Sequence, residues 1–164
     1  MAIHPESGRE MSEMIELEMM LELMEFVPMA ENEELILNLA GALANFTFYL
    51  TDENCLFHRK IEVLELMLPL LLHENSEFVE QATRVYSNIS RDTSSPEVQS
   101  WMSQHRGGIE LLCILLDHPS RGVLFNVCGT LVNVFVGSAR GGGAGKRLAN
   151  RCGKAFVGCD GVSK

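Results

Sequence analysis

In this 164-residue chain, the stretch GGGAGKR (Gly141–Arg147) has the composition of a loop that cradles phosphate. That chemistry needs backbone N–H groups around the phosphates, a lysine for their charge and a hydroxyl for magnesium, in the order G-x-x-x-x-G-K-[ST] after a strand. Aligned on Gly145 and Lys146, the first glycine falls on Arg140 and the hydroxyl position is Arg147. No strand pattern precedes it, so phosphate binding is not expected. Cys152 and Cys159 lie seven apart with no second ligand pair, which does not make a four-ligand zinc site. The five cysteines are odd in number and irregularly spaced, against a disulfide framework. His58, His73, His105 and His118 fall at expected helix ends and turns, where the helix dipole favours them. Asn45-Phe46-Thr47 and Asn88-Ile89-Ser90 match glycosylation sequons, but both lie inside apolar-periodic segments. No nucleophile–base pair stands out. The expectation is a chain that is not an enzyme, with no cofactor, no metal and no small-molecule substrate.

The same asparagines carry a different signal. Asn45, Asn88 and Asn133 follow one another at steps of 43 and 45 residues. Ten positions before each stand Leu35, Phe78 and Val123; nine before, Ile36, Val79 and Leu124; six before, Leu39, Ala82 and Val127. Five before are Ala40, Thr83 and Cys128; two before, Leu43, Tyr86 and Leu131; one after, Phe46, Ile89 and Val134. Six matched positions in three copies define a helical repeat of the armadillo or HEAT length, about 40–47 residues.

The elements that must carry these positions are helices. Ser12–Phe26 is one, with Ile15, Met19, Leu23 and Phe26 as its expected core stripe, widened by Leu17, Met20, Leu21 and Met24. Dense methionine can also make an adaptable binding face; the core reading is taken. Val27–Asn32 turns through Pro28, and Asn32 is the expected cap of a helix over Glu33–Leu50. Thr51–Lys60 reads as a short first helix of a second unit. Ile61–His73 follows, with Pro69 forcing a kink or restart. Asn75–Ser90 places Phe78, Val79, Ala82, Val85, Tyr86 and Ile89 on one stripe, capped by Asn75 or Ser76. Arg91–Pro96 is a loop, and Pro96 opens the next helix with Ser95 as cap. Gly107 and Gly108 end it. Ile109–Asp117 is a buried helix, and Gly122–Val136 closes the third unit. Gly129 and Gly41 share a register and are expected to admit a close neighbour.

The net charge of −9 hides two regions. Residues 1–136 hold 7 Lys and Arg against 21 Asp and Glu, a balance of −14, and residues 137–164 hold 6 against 1, a balance of +5. An acidic body argues against nucleic acid as the partner. No uninterrupted apolar run approaches the roughly 20 residues of a membrane helix, and the N-terminus lacks the apolar core of a secretory signal. No membrane partner is expected, and the cytoplasm is the expected location. The domain reading is a disordered 1–11, a repeat domain over 12–136 (repeats near 12–50, 51–91 and 95–136) and a tail over 137–164. That tail has eight glycines and no apolar period, so disorder is expected. It supplies no polar terminal cap of the kind a repeat array needs. A misread or truncated gene model is one explanation and a basic tail for acidic partners the other.

LLLHENSEFVEQATRVYSNISRD and LLDHPSRGVLFNVCGTLVNVFV resemble armadillo repeats, and more narrowly the armadillo-repeat-containing protein two family. The resemblance covers roughly residues 50–136, with a weaker first repeat. It implies an all-α, right-handed α-solenoid of about three repeats and a protein-binding adaptor for cilium and flagellum assembly. Such an adaptor would carry axonemal components such as radial spokes to intraflagellar transport proteins. Peptide-binding armadillo proteins line a groove with third-helix asparagines. By that likeness, Asn45, Asn88 and Asn133, with Arg84, Phe48, Phe125 and Val136 on the same face, are the candidate partner-binding residues. The tryptophan found four residues before each asparagine in importin-type grooves is replaced here by Gly41, Arg84 and Gly129. The asparagines therefore either meet an extended peptide or bond a neighbouring helix.

Overall fold

The structure, a computed structural model, describes residues 15–51, 55–104 and 108–140. Every regular element among them is helical. The chain forms two compact units, one through Ile89 and one from Ser90.

The first unit holds α1 (Ile15–Phe26), α2 (Glu33–Phe48), α3 (Lys60–Met67) and nearly all of α4 (Ser76–Ser90), with 3-10 turns at Met29–Glu31, Cys55–Arg59 and Leu68–Leu72. The break at Pro69 takes the form of a restart. α3 stops at Met67, and Leu68–Leu72 continues as a tighter 3-10 turn, because proline has no N–H to give the α ladder. α4 starts as its cap predicts, with Asn75 Oδ1 accepting the Glu77 N–H at 2.9 Å. Its stripe of Phe78, Val79, Ala82, Val85, Tyr86 and Ile89 is entirely buried. The Tyr86 hydroxyl donates to the Leu64 carbonyl at 3.1 Å, tying α4 to α3. Asn32 does not cap α2. Its amide instead donates back to the Pro28 carbonyl at 3.2 Å, closing the turn before the helix. α2 ends at Phe48, two residues short of the expected Leu50.

α1 overturns the expected core face. Leu17 and Leu21 are the buried pair, whereas Met19, Leu23 and Phe26 are 56 %, 38 % and 74 % exposed. Both stripes have helical spacing. α1 packs on α2 and α3, and the Leu17–Leu21 side is the one that meets them.

The second unit holds α5 (Pro96–Gln104), α6 (Gly108–Ile114), a 3-10 turn (Leu115–Asp117) and α7 (Arg121–Arg140). Pro96 opens α5, and Ser95 Oγ accepts from Val98 N at 3.4 Å. α7 packs on α5 and α6 and buries Val123, Val127, Leu131 and Val134. It runs four residues past the expected end at Val136, to Arg140. The remainder of the tail (141–164) and the N-terminal residues 1–14 lie outside the described residues. The window Arg121–Ser138, at mean hydropathy 1.2, is long and apolar enough to cross a bilayer by length and composition. A search for uninterrupted apolar runs misses it because Asn126, Thr130 and Asn133 divide it. Its buried stripe in this unit gives the hydropathy a packing role.

The close helix approach is not at Gly41, where a Cβ would sit an ordinary 3.9 Å from Gln81. It is at Gly137, where a Cβ would run into the Gln99 side-chain amide. That amide is buried, and neither of its polar atoms has a hydrogen-bond partner. An unsatisfied buried amide costs about 1–3 kcal/mol. Gln99→Met, similar in shape and without polar atoms to desolvate, should therefore stabilise the chain by about 1 kcal/mol, read as a higher urea midpoint at unchanged slope.

Burial pushes the Tyr86 phenol well above the ordinary tyrosine value of 10.0, with the Glu65 charge adding to it. The folded state thus holds this proton while the unfolded chain releases it from about pH 10.0 upward. Stability is whole below that pH and falls above it. Tyr86→Phe should flatten the alkaline fall while costing about 1 kcal/mol at neutral pH through the lost bond to Leu64. Urea melts at pH 8 and at pH 10.5 check both.

Candidate protein-interaction site

The candidate residues of the first unit come together where α4 lies along α2. Asn88 Nδ2 donates to the Ala44 carbonyl at 2.9 Å and to Thr47 Oγ1 at 3.2 Å. Thr47, fully buried, passes its own proton to the Leu43 carbonyl at 2.8 Å. Arg84 reaches across to Asn45, with Nη2 to Oδ1 at 3.0 Å, while its Nη1 holds Gln81 Oε1 at 2.7 Å. Asn45 with Arg84, and Asn88 with Ala44 and Thr47, are therefore two polar links between the same two helices. Beside it opens a pocket of about 660 Å³, lined by Leu37, Asn38, Gly41, Ala42, Asn45, Phe46, Glu77, Glu80 and Gln81. Gly41 leaves the floor low, and two glutamates give the α4 wall its charge. Phe48 is exposed at the end of α2, its ring edge-on to Tyr49 with centroids 5.0 Å apart.

In the second unit Asn133 repeats the pattern. Its amide donates to Ser90 Oγ at 3.1 Å, 43 residues back, as that of Asn88 donates to Thr47 from 41 residues away. Thr47 and Ser90 each stand two places after the preceding asparagine. Phe125 and Val136 project outward on α7, 79 % and 44 % exposed. The structure thus brings Asn45, Arg84 and Asn88 together and places Asn133, Phe125 and Val136 on α7.

Two features were not visible in the sequence. The turns after the second helices are the same in both units. His73 Nδ1 accepts the Asn75 N–H at 3.1 Å and His118 Nδ1 accepts the Ser120 N–H at 3.1 Å. The two histidines are 45 positions apart, the step of the last two asparagines, and that coincidence was the available signal. Lys60 is the other. It is 5 % exposed and sits 3.3 Å from the centroid of the Phe57 ring, an arrangement with no pattern in the local sequence. Among the described residues no group of His, Cys, Asp and Glu could hold a metal ion.

Comparison with known proteins agrees with this repeat geometry. The chain is 31 % identical over 136 residues to armadillo repeat-containing protein 2 of Mus musculus, which is 82 % of this chain and 16 % of the mouse protein. It is 27 % identical over 118 residues to the Homo sapiens protein of that name, 72 % of this chain and 13 % of that one. It is also 27 % identical over 137 residues to the Bos taurus protein, 83 % of this chain and 15 % of that one. This is an armadillo-repeat chain of the armadillo repeat-containing protein 2 type. It spans about a sixth or less of the length of these relatives. No protein-family profile matches it, and no solved structure does.

Removing the Asn88 amide leaves Ala44 and Thr47 without it. Asn88→Ala should cost about 1–2 kcal/mol, and Asn88→Asp more, because a carboxylate would face the Ala44 carbonyl with no proton to give. Thermal melts of both variants check the order.

Proposed function

We propose that this armadillo-type chain is a non-enzymatic scaffold that binds other proteins. The observation that supports it most is the repeated inter-helix amide bond, Asn88 to Thr47 and Asn133 to Ser90. Side chains that elsewhere do chemistry are here spent on registering helices, and what remains for function is the surface those helices present. About three repeats with right-handed stacking are part of this reading. Its specific form, from the likeness to the armadillo repeat-containing protein 2 family, is an adaptor in cilium or flagellum assembly. It would work in the cytoplasm and the cilium on axonemal components such as radial spokes and their transport proteins. No nucleic acid, membrane or small-molecule substrate enters this reading.

A second reading is favoured by the pocket between α2 and α4, whose mixed lining of Leu37, Asn38, Asn45 and Glu80 suits a peptide segment. In that reading the ligand meets the pocket walls, because the Asn88 amide is engaged with α2. The two readings part on Ala42→Arg, which fills the pocket from its wall without touching the Asn88 network. Pull-down from ciliated cells with the wild-type chain should recover spoke or transport proteins under the adaptor reading. Ala42→Arg should leave that recovery intact if binding uses another face and abolish it if the pocket is the site. Failure of the wild type to enrich any of these proteins over a mock column would overturn the adaptor reading.

A further inference from the structure

Two helices keep an apolar stripe in water after the core is formed. On α1 it is Met19, Leu23 and Phe26, at steps of four and three; on α7 it is Phe125, Cys128, Val132 and Val136, at steps of three, four and four. Each is one helix face. Each carries a highly exposed phenylalanine, at 74 % for Phe26 and 79 % for Phe125, the residue class that anchors buried interfaces. Contiguous exposed apolar stripes of this kind mark contact surfaces.

Charge distinguishes the two faces. α1 holds four glutamates and no basic residue, and Glu22 and Glu25 stand exposed next to its stripe. The only charged residues of α7 are Arg121 and Arg140. Arg121, exposed, lies one turn before Phe125 on the same face. Pairing α7 with a second α7 brings arginine to arginine, and pairing α1 with a second α1 brings eight glutamates together. Only α1 against α7 sets opposite charge beside apolar contact.

The hydroxyl series sets α7 apart from α2 and α4. Thr47 and Ser90 each receive the amide of a following asparagine. The third position of that series, two after Asn133, is Phe135, which accepts nothing. α7 offers no side-chain acceptor there and carries an exposed apolar stripe, and the Met19–Leu23–Phe26 face can cover it, with flexible methionine able to follow an irregular partner.

We propose that copies of this chain associate with one another, the α1 face of one copy seated on the α7 face of another. Such a contact joins unlike surfaces, so it either closes reciprocally into a pair or ring or extends from copy to copy. This proposal is independent of the adaptor reading and of the pocket.

The test is sedimentation and light scattering of the 164-residue chain across the micromolar range. Wild type should give a mass rising from the 18.2 kDa chain mass to that of dimers or larger species with concentration, shifted back toward that mass by salt. Phe125→Glu alone, and Met19→Glu with Phe26→Glu, should each stay at the single-chain mass, with helical circular dichroism unchanged. Mixed together, the two variants retain one good face each and should stop at a 1:1 dimer. The proposal falls if wild type holds the single-chain mass to high micromolar concentration. It falls equally if Phe125→Glu blocks association while the α1 variant does not, or if the folded variants fail to pair when mixed.

Discussion

The bond from Asn88 back to Ala44 and Thr47 is the constraint on which the first unit depends. α4 has an almost wholly buried stripe, but apolar contact is non-directional and would tolerate a slip along α2. A half-buried amide with two fixed partners does not tolerate it. Moved by one turn, Asn88 would leave the Thr47 hydroxyl and the Ala44 carbonyl behind and enter an apolar surface unpaired, at the cost of a desolvated polar group. Ala40 and Ala44, both fully buried, let the helices come near enough for so short a side chain to reach. Hydrophobic burial holds the helices together, and the amide decides where.

That division explains what could be read from the sequence. The repeat pattern was legible because five apolar positions, one compact position and the asparagine recur in step, and periodic burial is what helices leave in sequence. The Pro69 break, the Asn75 cap and the Pro96 start were legible because each follows from one residue's backbone chemistry. The outer face of α1 was not. Two stripes of equal period run along it, and only the neighbours' shapes select Leu17 and Leu21 over Met19 and Leu23. Asn32 misled for a related reason. The same amide that caps a helix can close the turn before it, and the Pro28 carbonyl lies within reach. Asparagine function was ambiguous because a side chain that meets a ligand and one that meets a helix need the same position.

Glycine shows the limit of register arguments. Gly41 and Gly129 share a repeat position, yet Gly41 has ordinary clearance, and the tight approach falls on Gly137. The chain tolerates Gln99 there by burying an amide with no partner. A residue of that shape without polar atoms would fill the space more cheaply, so stability alone does not account for glutamine at that place. The sequence holds no trace of this pairing, because residues 99 and 137 belong to different helices and neither sits at a repeat position.

The progression Asn-Phe-Thr, Asn-Ile-Ser, Asn-Val-Phe condenses how the helices differ. In the first two, the residue after next is a hydroxyl that takes the amide of the following asparagine, making the outward side of that helix a polar socket. In the third the hydroxyl gives way to Phe135, and the outward side of α7 is apolar over three turns, with Phe125, Val132 and Val136 unburied. A socket and a bare stripe have opposite requirements. The first must be filled by a donor at one register, whereas the second accepts apolar surface at several. Helices that register by hydrogen bonds within a chain and keep apolar faces outward separate the two kinds of side chain: the asparagines fix the register, and the aromatic and methionine residues that the core has left over stay at the surface.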